Sequence, residues 1–200
     1  YEMIVRLVGS EMCIRDSPLS EVKLNTNYAM VITTNAGLWR YKIGDTIRFT
    51  SLSPYRIQVT GRTKHFINVF GEELIIDNAE KALEKVCSQT KSNVFNYTAG
   101  PIFMEKNKQG AHEWIIEFDR EPEDLSLFCR LFDKALQNEN SDYEAKRYNN
   151  MTLKPLKLHK ARKGLFYKWL AKKGKLGGQH KVPRLSNSRE ILDELLKMNY

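Results

Sequence analysis

A change of pattern near residues 61–64 constrains the fold of this 200-residue chain more than any other feature. Before it, short strand-like runs are separated by turn residues, in the order YAMVITT, LWRYKIG, TIRFTS and YRIQVTG. After it, strand patterns alternate with helical spacing of apolar residues. Short strands joined by tight turns pair antiparallel, whereas a mixed order packs helices on a sheet. The sequence therefore predicts an α+β fold: the end of an antiparallel sheet or small barrel, then a small α+β sandwich.

The second part has the predicted order strand, helix, strand, strand, helix. Asp77 precedes Glu80 by three residues, which predicts a capping box and a first helix over residues 77–89. The run HEWIIEFD alternates apolar and polar residues as a half-buried strand does. A second helix is predicted to start near Pro122, and a last helix over residues 189–198. This order is typical of a small sandwich of helices and strands.

The formal net charge of +8 is distributed unevenly along the chain. Residues 151–181 hold ten Lys and Arg residues and no Asp or Glu, which suggests an anionic partner. Phe166, Tyr167 and Trp169 are interleaved with this charge and could stack on nucleic-acid bases. Their helical spacing favours instead the buried face of an amphipathic helix whose lysines are solvated. A basic nucleic-acid-binding module is therefore the less favoured alternative.

Cysteine usage and hydropathy indicate the cellular compartment in which this protein is expected. No run of about eighteen apolar residues occurs in the sequence, so no membrane-spanning helix is expected. Cys87 and Cys129 form neither a disulfide framework nor a metal-ligand spacing. We therefore expect a reducing, cytoplasmic compartment and no metal site built from this chain.

The first seventeen residues differ from everything after them. They mix apolar patches with scattered charges and follow neither the strand period nor the helical one. Residues 7–17 can be back-translated into a string that resembles a transposase-type sequencing adapter, and Tyr1-Glu2 fits the flow-cell end of such an adapter. We therefore expect residues 1–17, with Cys13, to be a library artefact and the authentic chain to begin near Pro18. The alternative is a genuine N-terminal strand and loop.

Three stretches could carry chemistry. Gly44-Asp45 places a carboxylate at the end of a strand, where a loop exposes it. GRTKHFINVFGEEL places Arg62 and Lys64 at the joint between the two predicted parts, where they could change partners as domains rotate. KLGGQHKVPR carries Lys181 between paired glycines and a proline, which suits a lysine that neutralises phosphate in phosphoryl or adenylyl transfer. Taken singly, each residue also fits an ordinary turn or surface position.

Together, and in this order, the three stretches TTNAGLWRYKIGD, VTGRTKHFINVFGEEL and GGQHKVPR resemble the adenylate-forming enzymes. More narrowly, they resemble the acyl-acid amido synthetases first met as auxin-responsive plant proteins, the Gretchen-Hagen group, in its bacterial branch. The resemblance covers nearly everything from Val22 to the end of the chain. The Tyr-x-x-Gly-Asp pattern, here Tyr41 to Asp45, is shared by the whole superfamily. The Gln-x-Lys-x-Pro-Arg pattern that begins at Gln179 is more specific to this family.

The resemblance implies a role for each matching residue. Asp45, in one pattern with Tyr41, would hold the ribose hydroxyls of ATP. Arg62 would contact ribose and phosphate near the hinge, and Lys64 would lie at the hinge itself, where many relatives carry Asp. Lys181 would meet the α-phosphate and carboxylate oxygens while the acyl-adenylate forms. All four roles come from the resemblance and not from spacing alone.

The resemblance also implies a reaction and a domain plan. A carboxylic acid would attack the α-phosphorus of Mg-ATP, and an amine, typically an amino acid, would then take the acyl group from AMP. Residues 18–63 would complete the large adenylation domain and residues 64–200 would form a small mobile lid. The Mg²⁺ ligands and most of the acyl pocket would lie in a missing N-terminal domain, so this chain alone is expected to be inactive. Transfer to coenzyme A and a degenerate family member are the alternatives left open.

Overall fold

The computed structural model describes residues 2–7, 16–62, 66–104, 109–150, 152–177 and 180–200. The chain divides into two compact units. The first unit comprises Tyr1–Phe66 with Ile75–Asp77, and the second comprises Ile67–Leu74 with Asn78–Tyr200.

The first unit is an antiparallel sheet. Within the described ranges it has five strands in the order β2-β1-β3-β4-β5. They are β1 (Glu2–Leu7), β2 (Asp16–Pro18), β3 (Asn27–Thr33), β4 (Tyr41–Leu52) and β5 (Tyr55–Arg62). Val22, Tyr28, Ile47 and Phe49 form its buried apolar cluster. Every pairing in this sheet is antiparallel, as the strand-and-turn pattern predicts.

Strand β1 joins this sheet through its backbone, with Glu2 opposite Thr33 and Leu7 opposite Tyr28. Cys13 lies outside the described residues. Strand pairing does not identify the origin of a segment, because a sheet edge offers unpaired backbone groups to any extended chain. The adapter origin of residues 1–17 stays a prediction.

The second unit combines helices with a sheet in which the strand order is β10-β9-β8. Its strands are β8 (Asn93–Ile102), β9 (Ala111–Arg120) and β10 (Lys157–Lys160), and β9 pairs antiparallel with β8 and parallel with β10. Its helices are α1 (Ile76–Thr90), which belongs to this unit from Asn78 on, α2 (Leu125–Glu139), α3 (Ser141–Arg147), α4 (Leu165–Lys172) and α5 (Glu190–Asn199). The short strands β6 (Phe66–Ile67) and β7 (Leu74–Ile75) pair separately. The α+β class is confirmed.

Strand β9 is the centre of the second unit, and here the prediction of a half-buried strand is wrong. Its first eight residues are all buried. Trp114 packs edge-on against Phe132 of α2 with ring centroids 4.8 Å apart, whereas Ile115 lies in a cluster with Phe166 of α4 and Leu192 of α5. Successive side chains of a strand point to opposite faces, so helices cover both faces of this sheet.

Two helix starts also differ from the sequence-based expectation. Helix α1 begins at Ile76, one residue before the predicted start, so Asp77 lies inside its first turn; the capping box stays a prediction. Helix α2 begins at Leu125 and not near Pro122, because the Asp124 carboxylate accepts from the backbone N–H groups of the second and third helical residues. A capping aspartate satisfies donors that a proline start would leave to solvent.

Candidate functional site

The β4 strand bulges at the Gly-Asp pair of the first motif. The β3 residues 29–31 lie opposite the β4 residues 42–46, so β4 has two residues more than β3 over the same length. Gly44 lies inside this bulge with a φ of +88°, a region that a residue without a Cβ enters at little cost. Pairing with β3 is interrupted at residues 43–45 and resumes at Thr46, whereas Asp45 pairs with Arg62 of β5. Asp45 therefore lies inside β4, and the prediction that it ends a strand is wrong, because the bulge lets the strand continue past Gly44.

Asp45 and Arg62 are opposite each other on neighbouring strands β4 and β5. The Arg62 Nε lies 3.1 Å from the Asp45 Oδ1, and the Arg62 and Asp45 side chains are 61% and 22% exposed respectively. The pair is therefore open to solvent. A carboxylate accepts from hydroxyl groups, and a guanidinium donates to phosphate oxygens in a fork geometry. This donor and acceptor set matches the ribose and phosphate of a nucleotide.

A buried hydroxyl pair lies next to these two residues along strands β4 and β5. Thr46 follows Asp45 on β4, and its Oγ1 accepts from the Thr60 hydroxyl of β5 at 3.0 Å. The Thr60 hydroxyl also lies within hydrogen-bond distance of the Asn27 side-chain oxygen on β3. Both threonines are buried. This three-strand network was missed by the sequence reasoning, because nothing in the local spacing indicates which strands are neighbours.

Tyr41 and Lys64 complete the candidates of the first motif region. Tyr41 is the first residue of β4, lies opposite Ile32 of β3, and is 51% exposed. Lys64 lies outside the described residues. The first unit thus brings Tyr41, Asp45 and Arg62 onto adjoining strands of one sheet.

Lys181 is exposed in the second unit, at the start of an anchored segment. Val182 and Leu185, on the C-terminal side, are buried. On the N-terminal side, Gly177 has a φ of +93°, and a Cβ built there would have open space around it. Gly178 lies outside the described residues. Burial of Val182 and Leu185 thus fixes the chain on the C-terminal side of the lysine.

The segment after this lysine is hydrogen-bonded to the free edge of β8. The Ala99 N–H donates to the Arg184 carbonyl at 2.9 Å, and the Ser186 N–H donates back to the Ala99 carbonyl at 3.1 Å. The Thr98 hydroxyl donates to the Pro183 carbonyl at 2.6 Å. Through these bonds the segment runs parallel to β8 and extends the three-stranded sheet by one short segment at that edge.

A buried carboxylate in the second unit was also missed by the sequence reasoning. Glu113 of β9 accepts from Lys157 Nζ at 2.9 Å, His159 Nε2 at 2.8 Å and Arg189 Nη2 at 2.7 Å. Burial raises the pKa of Glu113, but these hydrogen bonds and the Arg189 charge outweigh burial, and its pKa is about 2. The signal in the sequence that could have indicated this site was a glutamate within a largely apolar strand. Its partners come from β10 and the start of α5, which the sequence does not place beside it.

Part of the positive charge of the basic segment is paired within the second unit. Lys157, Lys160 and Lys173 form ion pairs with Glu113, Glu121 and Glu194 at 2.9, 3.0 and 2.8 Å. Phe166 and Trp169 are buried, as the amphipathic-helix interpretation predicts, whereas Tyr167 is 65% exposed. Two of the three aromatic rings are thus inaccessible for stacking on nucleic-acid bases.

Metal sites and membrane spans are both absent from the described ranges. No group of three His, Cys, Asp or Glu side chains there could hold a metal ion. No helix in those ranges is long and apolar enough to cross a membrane. Cys87 and Cys129 are both free thiols.

The architecture is that of the acyl acid amido synthetases of known structure. A GH3.15 acyl acid amido synthetase structure is similar with a TM-score of 0.72 and 20% identity, over 98% of this chain and 34% of that chain. The AtGH3.15 enzyme in complex with 2,4-DB gives a TM-score of 0.71 at 20% identity, over 99% of this chain and 36% of that one. At this level of identity the likeness establishes the fold alone.

Family models identify the chain more specifically. Residues 77–190 match the GH3 family C-terminal domain, and residues 11–62 match the GH3 family central domain. The first of these models covers more than half of the 200 residues. The chain belongs to the GH3 family, which confirms the family inferred from the three motifs.

Curated relatives carry names of the same class. Indole-3-acetic acid-amido synthetase GH3.10 of Arabidopsis thaliana is 29% identical over 93% of this chain and 34% of the relative. Jasmonoyl--L-amino acid synthetase GH3.5 of Oryza sativa subsp. japonica is 30% identical over 91% of this chain and 33% of the relative. The chain thus spans about a third of the length of these relatives. Its placement in a bacterial branch stays a prediction.

Proposed function

We propose that the full-length protein to which this chain belongs is an ATP-dependent ligase. It activates a carboxylic acid as acyl-AMP with release of pyrophosphate, and it passes the acyl group to an amine with release of AMP. An amino acid is the expected acceptor. The observation that carries the proposal is the exposed Asp45–Arg62 pair beside the Gly44 bulge, since its chemistry suits a nucleotide. The amido synthetase names of the relatives support the same reaction class.

In this proposal the first unit holds the nucleoside part of ATP. The Asp45 carboxylate accepts from the vicinal ribose hydroxyls, because a carboxylate would repel a phosphate. The Arg62 guanidinium is largely exposed and donates to ribose and phosphate oxygens. Tyr41, also exposed, lies along the same strand as Asp45 and contributes to the nucleotide site.

Lys181 supplies positive charge where negative charge accumulates. As the carboxylate attacks the α-phosphorus, its oxygens and those of the phosphate crowd together, and a lysine ammonium stabilises that arrangement more than the separated reactants. An exposed lysine at the edge of an anchored segment is free to enter such a site. The lysine neither gives up nor takes a proton in this step, because its ammonium acts as a point charge.

The domain plan belongs to the same proposal. Residues 18–63 complete the large domain, Lys64 is the hinge, and residues 64–200 form the mobile lid. Mg²⁺, which would neutralise the phosphates of ATP, takes its ligands outside this chain in the proposal. The free thiols Cys87 and Cys129 fit the cytoplasmic location that we propose.

The decisive assay is ATP–pyrophosphate exchange by the full-length protein with a panel of carboxylic acids. Lys181→Ala should lower the exchange rate on the order of 100-fold to 1000-fold, as loss of one transition-state donor does elsewhere. Lys175→Ala, which removes another exposed lysine six residues earlier, is the matched control and should leave the rate unchanged. Equal rates for both variants would contradict the role of Lys181.

Product analysis separates the acceptors. Mass spectrometry after incubation with ATP, acid and a mixture of amino acids and coenzyme A should find an amide. A thioester with coenzyme A as the main product would replace the amide ligase by an acyl-CoA ligase. Absence of adenylate chemistry with any acid would favour the degenerate family member. The 200-residue chain by itself should show no exchange.

A further inference from the structure

Three side chains beside the Lys181 segment, those of Arg184, Glu80 and Tyr97, contact one another and form a triangle. The Arg184 guanidinium forms an ion pair with the Glu80 carboxylate of α1. Its Cζ also lies 5.1 Å from the centre of the Tyr97 ring of β8. The Tyr97 hydroxyl donates to the Glu80 Oε1 at 2.8 Å, which joins the remaining two corners. Arg184 is thus held at once by a helix and by a strand of the second unit.

The triangle adds side-chain contacts to a backbone anchor. The anchor consists of the hydrogen bonds between residues 183–186 and β8, and it starts two residues after Lys181. Gly174 and Gly177, before the lysine, have positive φ angles and open space around them. On the anchored side, Arg184 adds an ion pair to the backbone hydrogen bonds that restrain the segment after the lysine.

We propose that Arg184 is a positioning residue for Lys181, a role that rests on the function proposed above. Its clamp between Glu80 and Tyr97 fixes the segment that carries the lysine, so that the ammonium enters the adenylation site at a set place. Arg184 itself touches no reacting atom in this proposal. The arginine of the family-specific Gln-x-Lys-x-Pro-Arg pattern thereby acquires a physical function: it holds the lysine that precedes it by three residues.

The expected effect is on geometry and not on the fold. Loss of the guanidinium leaves the backbone hydrogen bonds and the buried Val182 and Leu185 in place, so the unit should still fold. The lysine would sample a wider range of positions, and a displacement of about 1 Å can cost on the order of 100-fold in rate. Binding of ATP through Asp45 and Arg62 should be unaffected.

The test measures ATP–pyrophosphate exchange by the full-length protein with Arg184→Ala, Arg184→Lys and Glu80→Gln. Arg184→Ala should lower kcat on the order of 10-fold to 100-fold with little change in the KM for ATP, and Arg184→Lys should restore part of the rate. Glu84→Gln is the matched control and should be silent: Glu84 lies one turn further along α1, in the surface pocket that Glu80, Tyr97 and Arg184 also line. In a Lys181→Ala background, Arg184→Ala should cost almost nothing further, because the positioned group is gone.

A second readout follows the anchor directly. Hydrogen exchange of the Ala99 and Ser186 amides should speed up in Arg184→Ala and in Glu80→Gln, and Tyr97→Phe should have a smaller effect in the same direction. The Glu80 and Tyr97 variants keep the proposal testable if Arg184→Ala does not fold.

The outcomes separate two failures. If Lys181→Ala abolishes pyrophosphate exchange while the Arg184 and Glu80 variants retain the full rate, positioning by Arg184 is wrong and the proposed function stands. Positioning is equally wrong if the losses from Arg184→Ala and Lys181→Ala simply multiply. If Lys181→Ala itself retains the full rate, the role of Lys181 is wrong and the positioning role fails with it. The proposed function fails if the unsubstituted full-length protein shows no exchange with any acid.

Discussion

Two aspartate–arginine pairs, one from each unit of this chain, are built in opposite ways. In the first unit, Asp45 and Arg62 make a single 3.1 Å contact and are 22% and 61% exposed. In the second, Asp133 and Arg147 are 10% and 7% exposed and share several hydrogen bonds, the shortest of them 2.8 Å. Tyr143 also donates its hydroxyl to the Asp133 carboxylate at 2.7 Å. The buried pair is saturated by its own protein, whereas the open pair keeps capacity for a ligand.

The two pairs should therefore contribute in different ways. Removing one partner of a buried pair leaves an uncompensated charge in a poorly solvated place, which destabilises the fold strongly. An exposed pair loses little, because water replaces the partner. We expect the open pair to matter for ligand binding and the buried pair for stability. Four sets of variants test that division, from the largest expected effect on stability to the smallest.

Asp133→Ala should destabilise the chain by about 3–5 kcal/mol, because Arg147 and the Tyr143 hydroxyl would lose their buried acceptor. Urea unfolding followed by circular dichroism measures the change. Asp119→Ala, at an exposed position of β9, is the control and should cost below about 1 kcal/mol. A similar loss for both variants would remove the contrast between buried and open carboxylates.

The comparison extends to the pH dependence of stability through the buried Glu113. Its pKa of about 2 in the fold lies below its ordinary value of 4.5, so the folded state binds its proton less readily than the unfolded state. The resulting stabilisation is fully present above pH 4.5, is lost as pH falls towards 2, and amounts to about 3 kcal/mol at most. Glu113→Gln should flatten the stability profile between these pH values. An unchanged acid limb in this variant would show that Glu113 is not stabilised in the fold.

Gly44→Ala tests the bulge that precedes the open pair. A side chain at a φ of +88° is strained, so the substitution should cost about 1–2 kcal/mol. Gly44→Asn should cost less, because asparagine tolerates positive φ better than other residues. Thermal unfolding of the two variants gives the comparison, and an equal cost would argue against backbone strain at this position.

Asp45→Ala should have the smallest effect on stability, below about 1 kcal/mol, since its partner Arg62 is well exposed. Urea unfolding under the conditions used for Asp133→Ala makes the two aspartates directly comparable. A loss as large as that of the buried aspartate would mean that the open pair is a structural element of the first sheet.

Patterns of neighbouring residues allowed much of the fold to be predicted from the sequence. Alternation and turn residues predicted the antiparallel sheet, helical spacing predicted the buried face of α4, and the three motifs identified the family. Local signals failed where distant segments meet. The β9 strand is buried on both faces because Leu192, more than seventy residues later, packs beside Ile115.

The candidate site divides in the same way. Asp45, Arg62 and Lys181 were selected by motif, and their roles in catalysis stay predictions. The contacts of Arg184, which follows Lys181, and those of the buried Glu113 were not predictable. Arg184 contacts Glu80, which lies roughly a hundred residues earlier in the chain, and Glu113 contacts Arg189, which lies 76 residues later. Such partners are set by strand order and helix packing, and short motifs carry no information about either.

Activity and stability measured together in one variant test the role of the open pair. ATP–pyrophosphate exchange and thermal unfolding should be measured on the full-length protein with and without Asp45→Ala. We predict a loss of exchange on the order of 100-fold, with a rise in the KM for ATP, while the unfolding temperature hardly changes. Full exchange activity in Asp45→Ala, or a loss explained by unfolding, would contradict the claim that the open Asp45–Arg62 pair is built for the nucleotide.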